Sequence, residues 1–227
     1  MYKTFGKRAV NFYLNLNKPT DIPDKIEIIN PYENSIVKTT AKKFYDKFFS
    51  DHEKRVFIFG INPGRFGGGI TGINFTDPIA LREYCGIDNN LGNRRELSSQ
   101  FVYEFINAFG GVEKFYRKFF ISAIYPLAIL KDEKNFNFYD NKKIYDYLKP
   151  AIVTYMKKQI EFGAKQELVI SLGKKNFTYL KELNNEIKYF KKIEYLEHPR
   201  FIMQYRRKQL ESFIRKYLRL LSLAAKF

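Results

Sequence analysis

Two periods of apolar residues alternate along the chain. Continuous apolar runs at Arg55 to Ile61, Phe119 to Ile124, Glu167 to Leu172 and Lys191 to Leu196 suit strands buried on both faces. Between them the spacing lengthens to that of a helix: Phe5 to Leu16, Ser35 to Phe49, Ser98 to Phe109 with Ser98 as its cap, and Lys174 to Leu183. Asn141 to Leu148 and Pro150 to Phe162 read as two helices meeting at Lys149-Pro150, because proline fits a first helical turn. A terminal helix lines up Leu210, Phe213, Ile214, Tyr217 and Leu221, and Arg206, Arg207 and Lys208 begin it. Strands alternating with helices predict an α/β fold, a parallel sheet with helices on both faces. No repeat or low-complexity linker interrupts the pattern, so residues 1–227 read as a single domain, with 1–30 as an N-terminal helical extension. Thr76 to Leu97 and Lys131 to Asp140 carry neither period and read as surface loops, of a length that often serves function.

The ends of the strands carry the candidate chemistry, since ligands of open α/β sheets bind beyond the carboxyl ends of the strands. The first run empties into Asn62-Pro63-Gly64-Arg65-Phe66-Gly67-Gly68-Gly69, followed by Ile70-Thr71-Gly72-Ile73-Asn74-Phe75. A phosphate loop needs Lys and Ser or Thr after its last glycine, and a dinucleotide loop needs three spaced glycines and a later acid. Neither is present. What remains is an amide, a cluster of glycines and an aromatic ring directly after a buried strand. The last strand ends at Glu197-His198-Pro199-Arg200, which parallel pairing puts on the same sheet edge as Asn62. The other histidine, His52, lies in the charged turn Asp51-His52-Glu53-Lys54 and carries no such signal.

Composition narrows the classes. A hydrophobic content of 45% excludes a disordered chain, and no apolar stretch reaches the length of a membrane span. The N-terminus lacks the apolar core of a signal peptide, which suggests an intracellular protein. Cys85 is the single cysteine, so an internal disulfide framework and a four-cysteine zinc or iron–sulfur site are excluded, and with two distant histidines no metal or other cofactor is expected. Forty Lys and Arg against twenty-four Asp and Glu give a net charge of +16. Residues 200–227 hold eight of those cations and one acid, Glu211. Such a cluster reads as a nucleic-acid footprint, because phosphate neutralisation supplies most non-specific affinity for DNA; the bland alternative is a solvated helix face.

Gly60-Ile61-Asn62-Pro63-Gly64-Arg65-Phe66-Gly67 with Thr71-Gly72 and Phe75, and His198-Pro199 with Arg200 behind it, resemble the uracil-DNA glycosylase superfamily, in particular its single-strand-selective monofunctional (SMUG) type and a bacterial side branch of it. Asn30-Pro31-Tyr32-Glu33 and the segment ending Tyr125-Pro126-Leu127 are similar to further family segments. The resemblance implies a three-layer α/β/α sandwich around a short four-stranded parallel sheet. It implies a monomeric enzyme of base excision repair in the bacterial cytoplasm, associated with the nucleoid, that flips uracil out of DNA and hydrolyses its glycosidic bond. Asn62 would position the water and His198 would donate to the leaving base. Gly64, Phe66, Gly68, Phe75, Ser122 and Ala123 would contact the substrate, with Phe75 stacked on the pyrimidine. A glycine at position 64 implies room at C5 of the base, hence 5-hydroxymethyluracil as a further substrate. The chain departs from the family at Ala123, where the SMUG type has an amide for the uracil edge, which opens the spectrum to xanthine and hypoxanthine. Arg200, Phe201, Gln204, Tyr205, Arg206, Arg207 and Lys208 form the expected DNA-contacting set. Phe201, Ile202 and Met203 are either a wedge that replaces the flipped base or the buried start of the last helix.

Two other classes stay open on the sequence. A non-catalytic basic nucleic-acid-binding protein explains the charge but not the paired strand ends. A nucleoside or nucleotide hydrolase explains a pocket but not the basic C-terminus.

Overall fold

The computed structural model describes residues 3–23 and 25–227. The chain runs α1 (Phe5–Leu14), β1 (Ile26–Ile29), α2 (Ser35–Phe48), β2 (Arg55–Gly60), α3 (Gly68–Thr71), α4 (Pro78–Glu83), α5 (Leu97–Phe109), α6 (Val112–Lys118) and β3 (Phe119–Ala123). There follow β4 (Ala128–Lys131), β5 (Lys134–Asn135), α7 (Lys142–Ile160), β6 (Ala164–Leu172), α8 (Lys174–Ile187), β7 (Ile193–Leu196), α9 (Pro199–Tyr205) and α10 (Leu210–Ala224). The four expected strands form a parallel sheet in the order β3-β2-β6-β7, flanked by helices, and the α/β expectation holds. Phe57 of β2 lies opposite Phe120 of β3 and Val169 of β6, in strands whose central residues are wholly buried.

The helix expected as an N-terminal extension is part of the core. Phe5, Ala9 and Tyr13 of α1 are buried, the Phe5 ring lies 5.0 Å from that of Phe120, and the Tyr13 hydroxyl is 2.7 Å from Ser122 Oγ on β3. Each such ring removes a large apolar area from water, worth about 2–3 kcal/mol.

Three local expectations are corrected. Pro150 sits inside one continuous helix, α7, rather than between two. A proline there costs about 3 kcal/mol, but Ile144, Leu148, Ile152 and Met156 bury one stripe across both halves and hold the helix together. Ser98 does not cap α5; the helix starts at Leu97, and Ser98 is buried in its first turn. The stretch from Thr76 to Leu97, which reads as a loop, contains α4, and the Asp77 carboxylate closes it by accepting the N–H groups of Ala80 at 2.8 Å and Glu96 at 2.9 Å.

A second sheet was not legible in the sequence. β1, β4 and β5 pair antiparallel, with Ile28 opposite Ile129 and Leu130 opposite Asn135. Strands this short show no reliable period, yet this sheet delivers residues 135–138 to the end of β2.

Candidate active site

Asn62 stands two residues beyond β2, and both ends of its amide are tied. Its Nδ2 donates to the Phe136 carbonyl at 3.0 Å and its Oδ1 accepts the Phe138 N–H at 3.3 Å. Because one partner can only accept and the other only donate, the orientation of the amide is fixed. The glycine loop after it turns on the Gly64 carbonyl, which accepts from the N–H groups of Gly67 and Gly69.

Phe75 owes its position to two backbone features. Gly60, the last residue of β2, has no Cβ; one built there would lie 2.4 Å from the Phe75 ring, so the ring packs directly on the strand end. Phe75 itself has φ +55°, the left-handed region that costs a bulky residue of order 1–3 kcal/mol and is found at functional sites. Its ring centroid lies 5.6 Å from that of His198.

His198 is the N-cap of α9, with Pro199 in the first turn. Its Nδ1 accepts the Arg200 N–H at 3.2 Å, so the neutral ring carries its proton on Nε2. Burial, and after it the Arg200 charge, push the imidazole pKa down to about 4. At neutral pH the ring is an uncharged donor through Nε2.

These groups converge on one cavity, of about 550 Å³ including its open mouth, lined by Asn62, Gly64, Phe75, His198 and Arg200 among others. The remaining substrate-contact expectations distribute differently. Phe66 faces a neighbouring groove, where the guanidinium groups of Arg65 and Arg94 lie 4.3 Å and 3.5 Å from its ring centre. Gly68 is buried in α3 against Pro63 and does not line the cavity. Ser122 and Ala123 are also corrected: both are buried and neither lines the cavity. The Ser122 hydroxyl is engaged by Tyr13 and Gln159, and the Ala123 carbonyl accepts from Gln159 Nε2 at 3.2 Å.

The expectation of room beside Gly64 for a C5 substituent is corrected: the Glu96 carboxyl occupies it. A Cβ at Gly64 would lie 2.4 Å from Glu96 Oε1, and one at Gly67 would lie 1.9 Å from Glu96 Oε2, so the two glycines form the bed of this carboxyl group. Burial, followed by the nearby Asp77 carboxylate, raises the Glu96 pKa to about 7, against the opposing Arg200 charge. Glu96, Asn74, Ser98, Asn135 and Asn137 line the cavity as well, and no pattern in the sequence points to them. Glu96 reaches it on the Asp77-tied loop, Ser98 in the first turn of α5, Asn135 and Asn137 from the second sheet, and Asn74 from the turn before Phe75.

Beyond Arg200, which lines the cavity, α9 and the turn after it form an exposed rim segment that adds no further lining residue. Phe201 and Tyr205 are 40% and 61% exposed, whereas Ile202 and Met203 are buried, so of the three apolar residues considered as a wedge only Phe201 faces outward. Arg206, Arg207 and Lys208 are exposed and precede α10 rather than beginning it: Arg207 and Lys208 lie in a 3-10 turn and Arg206 stands just before it. The Arg206 guanidinium lies 5.4 Å from the Phe201 ring centre. Among the described residues no group of three or more His, Cys, Asp and Glu could hold a metal ion, and no helix is long and apolar enough to cross a membrane.

The family model of the Uracil DNA glycosylase superfamily matches residues 47–222. The crystal structure of wild-type Pedobacter heparinus SMUG2 superposes with a TM-score of 0.94 at 37% sequence identity, covering 100% of this chain and 100% of that one. Comparison with curated proteins finds no match.

Proposed function

Because the chain belongs to the uracil-DNA glycosylase superfamily, in its SMUG type, and is a DNA glycosylase, we propose that it excises uracil, together with other deaminated or C5-modified bases, from DNA in base excision repair. The observation that supports this most is the meeting of Asn62, Phe75 and His198 in one cavity at the carboxyl end of the sheet.

In this reading a nucleotide leaves the stack at a cost of a few kcal/mol, and its base enters the cavity beside the Phe75 ring. A water held by Asn62 attacks C1′. Its oxygen bonds to C1′, the bond to the base nitrogen breaks with its electron pair moving to the base, and the water's spare proton passes to solvent. Asn62 positions and does not deprotonate, because an amide has no usable basicity. His198 Nε2–H donates to the base carbonyl as negative charge gathers there; held neutral, the ring needs no reorganisation during the step. Among the described residues no lysine lines the cavity, so it offers no amine for a covalent sugar intermediate, in keeping with monofunctional hydrolysis. The exposed cations at 200 and 206–208 take the DNA phosphates. The protein acts as a monomer without a cofactor, in the bacterial cytoplasm at the nucleoid.

The test is release of free base from oligonucleotides that each carry one uracil, xanthine, hypoxanthine or 5-hydroxymethyluracil, in single and double strands. Free uracil and an abasic site are expected. Binding without release would favour a non-catalytic DNA-binding protein, and cleavage confined to free nucleosides or nucleotides would favour a small-molecule hydrolase.

A further inference from the structure

A flipped base is read by hydrogen bonds to its pairing edge, and the edge common to deaminated bases is a ring N–H beside a carbonyl. Reading both needs one acceptor and one donor side by side. Several polar groups in the cavity already have a partner: Asn62 at both ends of its amide, which keeps one N–H and one lone pair for the water, Asn74 Nδ2 with the Tyr13 hydroxyl at 3.4 Å, and Asn137 Nδ2 with Asp140 at 2.9 Å. Asn135 Oδ1 accepts the Arg65 N–H at 3.0 Å, and His198 Nδ1 accepts that of Arg200. β3 presents nothing to the cavity. The Glu96 carboxyl makes no hydrogen bond within the described residues, lies over Gly64 and Gly67, and shares the cavity with Phe75 and His198.

We propose that Glu96, in its neutral form, reads the pairing edge of the flipped base, its C=O accepting the ring N–H and its O–H donating to the adjacent carbonyl. The inference rests on the glycosylase reading above. A carboxylic acid has the same donor-beside-acceptor pattern as a primary amide, so Glu96 supplies from the head of α5 what β3 does not. The ionised form fails on two grounds: it has no donor for the carbonyl, and it repels the negative charge that develops on the leaving base. Raised to about 7, the Glu96 pKa keeps the acid form populated near neutrality. The charges around it come from every neighbouring segment: Asp77 at the head of α4, Arg200 on α9, Arg65 after β2, Lys134 on β5 and Arg94 in its own segment, while Arg95 is turned to Glu83 at 2.6 Å. Asp77 favours the acid form. The cations oppose it.

The experiment is single-turnover excision of uracil as a function of pH by the wild type, Glu96→Gln and Glu96→Ala, with melting temperature and affinity for abasic DNA measured alongside. Wild-type excision is expected to fall as pH rises through about 7. Glu96→Gln, locked in a neutral two-sided form, should lose that fall, and Glu96→Ala should be slower by about 10² at low pH with abasic-site affinity retained. Should Glu96→Ala fail to fold, the wild-type and Glu96→Gln profiles still decide. Excision that rises with pH, with Glu96→Gln as slow as Glu96→Ala, would overturn the proposal in favour of a general base. Wild-type rates in both variants would make Glu96 a bystander. Failure of the glycosylase reading itself looks different: the wild type would then release no base at any pH, and the proposal would fall with it.

Discussion

The cavity and its rim meet at α9, and they are built on opposite terms. Inside, Asn62 and His198 are each fixed by hydrogen bonds to main-chain groups, and Phe75 is clamped on Gly60 in a conformation that bulky residues avoid. Outside, Phe201, Tyr205 and the cations at 206–208 are exposed, and the Phe201 ring packs on Tyr205 and Arg206. A group that stabilises a transition state must hold its geometry before the substrate arrives. A group that neutralises phosphates needs only to reach them. The contrast separates residues expected to control the chemical step from residues expected to control affinity.

The sharpest break in that contrast comes from His198→Ala. Loss of a preorganised donor to developing charge should slow single-turnover uracil excision by about 10² to 10³, with DNA affinity unchanged. A defect seen in affinity alone would move His198 from the cavity chemistry to the rim. Asn62→Ala follows, with an expected loss of about 10² in the same measurement and little loss of binding. The substitution also removes the two ties to Phe136 and Phe138. A melting curve therefore belongs beside the rate. Near wild-type excision would remove Asn62 from the mechanism.

These two residues were legible in the sequence because each stands two residues beyond a strand of the parallel sheet, and parallel pairing then brings such positions to one edge whatever the loops do. The four parallel strands were legible for the same reason. What could not be read arrives by less regular routes. Glu96 comes in on a loop closed by the Asp77 carboxylate, and residues 135–137 come in on a sheet whose strands are too short to show a period. Ser122 shows a different difficulty. Alternation along β3 gives two faces but does not say which holds the cavity, and its hydroxyl turned toward Tyr13 and Gln159. Within 201–203 the helical turn of α9 separates Phe201 from Ile202 and Met203, which a run of apolar letters treats alike.

Charge on the rim gives the third prediction. Replacing Arg206, Arg207 and Lys208 together by Gln should weaken binding to every sequence alike, by about tenfold at moderate salt. The slope of log affinity against log salt should fall by about 0.9 for each phosphate that the variant no longer neutralises. The rate at saturating enzyme should stay as in the wild type. A slower chemical step would show that the rim reaches into the cavity.

Phe201→Ala is expected to have the smallest effect and the most specific one. Phe201 is 40% exposed on a helix whose next two residues are buried, so truncation removes a ring from the surface and leaves the core of α9 in place. An exposed aromatic ring one residue beyond the cavity-lining Arg200 can fill the gap left by an extruded base, and such a gap exists only where there is a stack to invade. Excision from duplex DNA should therefore fall several-fold while excision from a single strand holds. Arg206, 5.4 Å from the ring centre, would lose a cation–π partner in either case, a contribution common to both substrates that cancels in their ratio. The ratio of duplex to single-strand rates is thus the quantity to measure. Equal losses on both substrates would take the gap-filling role from Phe201 and leave Arg200, which lines the cavity, as the side chain to test next.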